Sequence, residues 1–194
     1  MTHGKNITGI VLAGGRSSRM GSDKGLLKLN DKLFIEHIML AMKPLVDSII
    51  IVSNNNTYDQ FGYERITDEV KDAGPLAGLY SGLSHSKTRY NLVLSCDIPL
   101  IQTEVLKTLI DTDYKNYDVV QIQSENKTMP LIALYNKECM DKCLKLLHDG
   151  ERRLRVAVGQ LNTKTVSIQP RWQEYVKNIN TKDDLNEITN AVKH

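Results

Sequence analysis

The chain is short of the features that most often announce a function. Cysteine occurs three times in 194 residues, at Cys96, Cys139 and Cys143, an odd number with no second close pair to complete a tetrahedral set. That excludes a disulfide framework and makes reduced thiols the default. Cys139 and Cys143, one helical turn apart, read as helix packing rather than metal ligands. No run approaches the roughly 20 apolar residues of a membrane span, and the opening Met-Thr-His-Gly-Lys-Asn meets strand-like sequence without the apolar core of a signal peptide. A cytoplasmic location and no membrane partner are expected. A charge excess is missing too: 25 Lys and Arg against 23 Asp and Glu leave a net +2, with the basic residues scattered. Nucleic-acid binders usually carry a basic stripe, so the expected partner is a small molecule and not nucleic acid. The five histidines belong to no Ser/His/Asp or Cys/His pattern, and no Gly-x-Ser-x-Gly elbow is present, which disfavours acyl transfer.

What is there is an α/β pattern. Apolar, β-branched runs recur at 7–13, 48–53, 91–96 and 118–122, separated by segments with helical spacing, which predicts a mostly parallel sheet with crossover helices. Leu33 to Lys43 reads as a helix ended by Pro44, Gly74 to Ser86 as a turn feeding a helix, and Thr103 to Asp111 as the next helix. Met129 to Tyr135 reads as a core strand whose Pro130 favours its start or a sheet edge. A helix from Lys137 to His148 stops at Gly150, a C′ glycine, and Arg152 to Val158 forms a second short helix. Thr181-Lys182-Asp183-Asp184 resembles a capping box with Asp in place of Glu or Gln, opening a last helix that carries Leu185, Ile188 and Val192. With no repeats and no long linker, residues 1–194 are expected to form one domain.

The densest signal is Leu12-Ala-Gly-Gly-Arg-Ser-Ser-Arg-Met-Gly-Ser-Asp-Lys24, which follows the strand-like Ile10-Val11-Leu12. Gly14, Gly15 and Gly21 can take positive φ and lack Cβ, so backbone N–H groups can converge on an anion. Arg16, Arg19 and Lys24 supply countercharge. The spacing is neither Walker A nor Gly-x-Gly-x-x-Gly, and a lysine nine positions after Gly15 suggests a longer loop wrapped around a mononucleotide triphosphate. Lys24 reads as a phosphate clamp. Arg19 either assists it or pins the loop through a carboxylate such as Asp23.

Asp97 follows the apolar Leu92-Val93-Leu94, so it falls at the C-terminal edge of a central strand, where ligands of open α/β sheets collect. Alone it reads equally as a turn residue before Pro99. Beside a triphosphate on the same rim, a hard oxygen ligand implies Mg²⁺. Asp68, after Arg65-Ile66-Thr67, either reaches a ribose hydroxyl or a guanine edge or simply caps a turn. Gly74 and Gly78 flank Pro75 where backbone could approach a ligand, though a helix-starting turn explains them as well. A phosphate monoester attacking a nucleotide α-phosphate is already anionic at pH 7, its second pKa being about 6. Such a reaction needs no general base, only positioning and charge neutralisation.

These residues resemble the molybdenum cofactor guanylyltransferases, within the nucleotidyltransferases whose opening signature is Leu-Ala-Gly-Gly-x-Ser-x-Arg-Met-Gly-x-Asp-Lys. Residues 12–24 meet every fixed position. The resemblance continues through Gly74-Pro75-Leu76-Ala77-Gly78, Asp97-Ile98-Pro99, Pro130-Leu131-Ile132-Ala133-Leu134, Gly150-Glu151-Arg152-Arg153 and Asn178-Ile179-Asn180-Thr181, spanning the chain in order. It implies a three-layer, Rossmann-like nucleotidyltransferase fold and a Mg²⁺-dependent transfer of GMP from GTP to the terminal phosphate of molybdopterin, with pyrophosphate leaving. It also implies nucleotide contacts at Leu12, Ala13, Gly14 and Asp68, with Lys24 on the phosphates, Asp97 on the metal, and molybdopterin contacts at Arg153, Asn178 and Asn180; from the residues themselves Gly15 and Gly78 are expected as further GTP contacts and Arg19 beside Lys24 on the phosphates. Relatives that transfer cytidylyl groups tend to carry alanine where Gly14 stands, which tilts the base toward guanine. Two departures fall on the pterin side: Lys182 replaces the usual proline, and Val176 stands where an aromatic is common. The rivals are a cytidylyltransferase for the same cofactor, a sugar-phosphate nucleotidyltransferase and a non-catalytic nucleotide-binding module. Transient contacts with cofactor-donating and acceptor proteins are compatible with the same reading.

Overall fold

Unbroken apolar runs suit strands buried on both faces, which is what a parallel sheet covered by helices demands. The computed structural model describes residues 6–14, 23–70 and 73–191, with residues 190 and 191 described by backbone alone. Gly15, Arg16, Arg19, Gly21 and Val192 lie outside the described residues. In chain order the elements are β1 (Ile7–Leu12), β2 (Lys28–Leu29), β3 (Lys32–Leu33), α1 (Phe34–Met42), β4 (Ser48–Val52), β5 (Glu64–Ile66), α2 (Gly74–His85), β6 (Tyr90–Ser95), α3 (Thr103–Ile110), β7 (Val119–Ser124), β8 (Lys127–Asn136), α4 (Cys139–His148), α5 (Leu154–Val158), β9 (Thr163–Ser167) and α6 (Lys182–Ala191), with short 3-10 turns at Lys24–Leu26, Asn56–Phe61 and Pro170–Val176.

The main sheet has the order β5-β4-β1-β6-β8-β7-β9. Every neighbouring pair is parallel except those made by β8, which runs antiparallel to β6 and β7. Helices cover both faces. Ile35 and Ile38 of α1 and Val105, Leu106 and Leu109 of α3 join one core cluster, while Leu76, Leu79 and Leu83 of α2, Cys139 and Cys143 of α4 and Leu154 of α5 join the other. The sheet with its two helix layers is the three-layer α/β arrangement expected. The close seating of α2 on the sheet depends on Gly82, where a Cβ would meet Ile10 Cγ2 at 2.6 Å.

Three local expectations meet the structure in detail. Gly150 takes φ 84° and ends α4, its N–H donating to Leu147 O while Glu151 N–H donates to Leu146 O, the paired bonds of a Schellman closure. The capping box forms with Asp: Asp184 N–H donates to Thr181 Oγ1 at 3.1 Å, and the Asp184 carboxylate accepts from Thr181 N–H at 2.9 Å. Pro130 is a correction. It sits neither at the start of β8 nor on an edge, because β8 lies between β6 and β7 and begins at Lys127. The ladder to β7 jumps from Gln121↔Ala133 to Ile122↔Met129, so Pro130 falls in a bulge where a missing N–H interrupts no pairing. The Tyr135 hydroxyl donates to its carbonyl at 2.7 Å. Ahead of it, Glu125 (φ 48°) and Asn126 (φ 64°) make the tight left-handed turn joining β7 to β8.

Candidate active site

Strands β4, β1 and β6 run parallel and end together, so the residues just past them share one rim. A cavity of about 600 Å³ opens there, lined by Leu12, Ala13 and Gly14 beyond β1, Ser53, Asn54 and Asn55 beyond β4, Asp68 beyond β5, and the start of α2 at Gly74, Pro75 and Gly78. The ladder continues past the strand ends, Ala13 N–H donating to Val52 O and Cys96 N–H to Leu12 O, so this floor is as fixed as the sheet. Gly14 does not use left-handed backbone. A Cβ there would stand 3.9 Å from Asp68 Oδ2 and from Val52 O, so its missing side chain keeps the cavity floor open. The N-terminus of α2 faces the same space, which favours an anionic occupant.

Asp68 is half-buried. Its N–H donates to Asn54 Oδ1 at 3.2 Å, while its own Oδ1 has no hydrogen-bond partner among the described residues. Burial pushes its carboxyl above the ordinary carboxylate range. Gly78 makes room for it: a Cβ at Gly78 would lie 3.5 Å from Asp68 Oδ1 and 3.4 Å from Leu12 Cδ2.

Lys24 and Asp97 come from segments 73 residues apart and meet. Lys24 Nζ lies 3.7 Å from Asp97 Oδ2 and donates to Asn180 Oδ1 at 2.6 Å. Asn178 Nδ2 donates to Asp97 Oδ2 at 3.3 Å, and Ile179 N–H donates to the Asp97 carbonyl at 2.7 Å. The stretch 178–180 is in turn held by Asp184, which accepts from Asn180 N–H at 2.8 Å. Asp97 Oδ1 is buried and has no hydrogen-bond partner among the described residues. Among the described residues no three His, Cys, Asp or Glu side chains cluster as a metal cage. Mg²⁺ needs no such cage, since it commonly takes one or two carboxylates and completes its shell with phosphate and water. One acid with an unused oxygen beside a lysine fits that habit.

A second cavity, of about 430 Å³, adjoins the first across Ser95 and Leu131, which line both, and Asp97 stands on its wall. Its interior is apolar, from Ile98, Met129, Ile132 and Val176, and its cations are Lys127, Arg155 and Lys177. Asn178 also lines it. Arg153 does not: its guanidinium is turned onto Glu151, donating at 2.9 and 2.8 Å. That pairing, joined by the N–H groups of Arg152 and Arg153, holds the Glu151 carboxyl down at about 2. Arg153 is thus committed to shaping the approach to α5, and the guanidinium at the cavity belongs to Arg155. Arg19 and Gly15 lie outside the described residues.

Sequence reasoning passed over Ser53, Asn54 and Asn55, although a polar run directly after a buried parallel strand is where ligand-facing residues collect. It also passed over the β7–β8 turn and, apart from Val176, the Pro170–Val176 segment, which contribute Ser124, Glu125, Lys127, Gln173 and Val176 to the wall of the second cavity.

Comparison with known proteins places these features. The MobA-like NTP transferase domain model matches residues 9–165. A probable molybdenum cofactor guanylyltransferase of Flavobacterium johnsoniae is 39% identical over 95% of this chain and 97% of its own length. The molybdenum cofactor guanylyltransferase of Vibrio campbellii is 33% identical over 91% of each. Among solved structures, a molybdopterin-guanine dinucleotide biosynthesis protein A from Archaeoglobus fulgidus superimposes with a TM-score of 0.81 at 24% identity, over 96% of this chain and 98% of that one, a likeness of fold. A protein of Aquifex aeolicus does so with a TM-score of 0.80 at 27% identity, over 93% and 97%.

Proposed function

The chain belongs to the MobA-like NTP transferase family, with the molybdenum cofactor guanylyltransferases among its relatives, and on that premise we propose that it transfers GMP from GTP to the terminal phosphate of molybdopterin. Pyrophosphate leaves and molybdopterin guanine dinucleotide is released. The observation that carries this reading is the 3.7 Å approach of Lys24 to Asp97, which lines the second cavity two residues past Ser95, a residue shared by both cavities. GTP occupies the larger cavity, its base and ribose toward Asp68 and Gly78 and its phosphates over Leu12, Ala13 and Gly14; the phosphate contacts expected of Gly15 and Arg19 fall outside the described residues. The acceptor occupies the second cavity, its heterocycle on the apolar wall and its anionic groups among Lys127, Arg155 and Lys177. Arg153 supports that side indirectly.

The acceptor phosphate arrives with an ionised oxygen, so the chain's task is to hold it in line with the α-phosphorus and to screen the charge of two anions. Lys24 is free to leave Asp97 for the triphosphate, where its ammonium offsets negative charge on the departing pyrophosphate. Asn178 and Asn180 steady Asp97 and Lys24 during the exchange. Asp97 would hold Mg²⁺, which when bound supplies Lewis-acid polarisation of a phosphoryl oxygen. All of residues 1–194 act as one unit in this scheme, and the reaction runs in the cytoplasm. No helix among the described residues is long and apolar enough to cross a membrane.

The test is pyrophosphate release on mixing the protein with GTP, molybdopterin and Mg²⁺, with CTP in a parallel arm and chelator in a third. Release should require GTP, acceptor and metal together. Equal or faster release with CTP would replace the guanylyl reading with a cytidylyl one, and GTP binding without release would leave a binding module.

A further inference from the structure

Asp23 precedes the phosphate-clamp lysine and spends its carboxylate on three donors. Its Oδ1 accepts from Gly25 N–H at 3.2 Å and from the Tyr58 hydroxyl, and its Oδ2 accepts from Asn55 Nδ2 at 3.0 Å. The first bond caps the 3-10 turn Lys24–Leu26 from within. The other two come from a segment more than thirty residues away, the turn that leaves β4. Tyr58 is fully buried, packs beside Phe61 at 6.1 Å between ring centroids, and reaches Asp23 over Gly25, where any Cβ would collide with its hydroxyl oxygen. Asp23 and Asn55 both line the larger cavity. One phenol therefore joins the backbone that launches Lys24 to the loop that walls the nucleotide space.

We propose that Tyr58 is a positioning residue for guanylyl transfer: its hydroxyl, through Asp23, fixes where Lys24 meets the triphosphate. The proposal rests on the transferase reading only in giving Lys24 a phosphate to meet. A hydroxyl that merely stabilised the fold would weaken every ligand interaction alike, or none. A hydroxyl that aims Lys24 loses its effect once the ammonium is gone, because thermodynamic coupling appears only between groups that act through each other. Burial of the ring restricts its motion, so the aim is set before nucleotide arrives and costs little ordering on binding.

The experiment is a double-mutant cycle on the full chain with Tyr58→Phe, Lys24→Ala and the pair. Calorimetric GTP affinity in Mg²⁺ is its readout, and melting temperature accompanies each protein. Tyr58→Phe should weaken GTP about tenfold in the native background and less than twofold beside Lys24→Ala. Equal loss in both backgrounds, or no loss in either, overturns the proposal. Should Tyr58→Phe fail to fold, Asp23→Asn, which keeps the side-chain volume, enters the same cycle with the same two outcomes. A native protein that binds GTP but releases no pyrophosphate with the acceptor would defeat the transferase reading while leaving this cycle readable.

Discussion

The two halves of the cleft are built by opposite devices. On the β4–β1–β6 side three parallel strands end in register, and each contributes its next residues to one rim: Leu12 to Gly14, Ser53 to Asn55, and Ser95 to Asp97. Regular pairing alone delivers them. On the β8–β7 side the pairing is antiparallel and broken by the bulge at Pro130, and the cavity wall is assembled from a tight turn, a 3-10 segment and the side chain of Arg155. On the proposed reading a fixed frame suits the triphosphate, a group common to every nucleotide, and an irregular one suits a particular acceptor. The seam is Ser95, shared by both cavities, and two residues past it Asp97 meets Lys24, itself bonded to Asn180.

The largest expected effect comes from breaking that seam. Lys24→Ala removes the ammonium that lies 3.7 Å from Asp97, and with it the charge proposed to meet the triphosphate. Loss of one such electrostatic donor costs about 100-fold or more in kcat. The fold should hold, since the Lys24 side chain contributes one hydrogen bond, to Asn180, and its approach to Asp97, and belongs to none of the core clusters. Circular dichroism and melting temperature should match the native protein, and steady-state pyrophosphate release should show the drop. Unchanged kcat would mean that the rim works without its lysine, and the contrast between the halves would lose its junction.

A smaller effect should separate the halves. Arg155 lines the second cavity and, among the described residues, its guanidinium makes one long hydrogen bond, to Thr128 O at 3.4 Å, whereas Arg153 is tied to Glu151. Arg155→Met keeps much of the stem and deletes the charge. The acceptor KM should rise about tenfold, the size of one charged contact at a solvent-accessible rim, with GTP affinity unmoved. A fall in GTP affinity of the same size would show that the two cavities are not separable. Arg153→Met should act on stability instead, through the turn that Glu151 organises.

How far the sequence foretold each half follows from the same contrast. The strands β1, β4 and β6 were legible because burial on both faces forces unbroken Ile, Val and Leu, and the residues after them inherit their position from the strand ends. Asp97 and Lys24 were therefore placeable on one rim before any coordinates. The Thr181–Asp184 cap and Gly150 were legible because each satisfies a backbone need that few residues meet. Pro130 was not, because a proline inside a central strand is tolerated only if a bulge relieves the ladder, and a bulge has no signature of its own in Met-Pro-Leu-Ile. Tyr58 was not either: its significance arises from a hydrogen bond across thirty-five positions to Asp23. Arg155 was overlooked for Arg153 because both sit beside the same helix start, and which guanidinium is spent on Glu151 is decided by local geometry.

The smallest effect tests the rigid half from inside. Asp68 is carried by the frame with one oxygen buried and unpartnered, and burial raises its carboxyl above the ordinary range. Between the ordinary pKa and the raised one the folded, ligand-free chain holds a proton that the unfolded chain has released, so stability falls as pH rises through that window. Above it the full cost of an ionised, under-solvated acid is present. Asp68→Asn removes the charge and keeps the shape, so at pH 7 the variant without nucleotide should melt higher than the native protein. The difference should shrink as pH drops below the ordinary carboxyl range, where both side chains are neutral. GTP affinity should weaken about fivefold, near the ~1 kcal/mol of one ordinary hydrogen bond. A gain in stability joined to a loss in binding is what a preformed ligand contact produces, because the cost is carried before the ligand arrives and recovered when it does. An Asp68→Asn protein that melts lower at pH 7 would make the carboxylate a structural turn residue and leave the base and ribose end of the cavity without its acid.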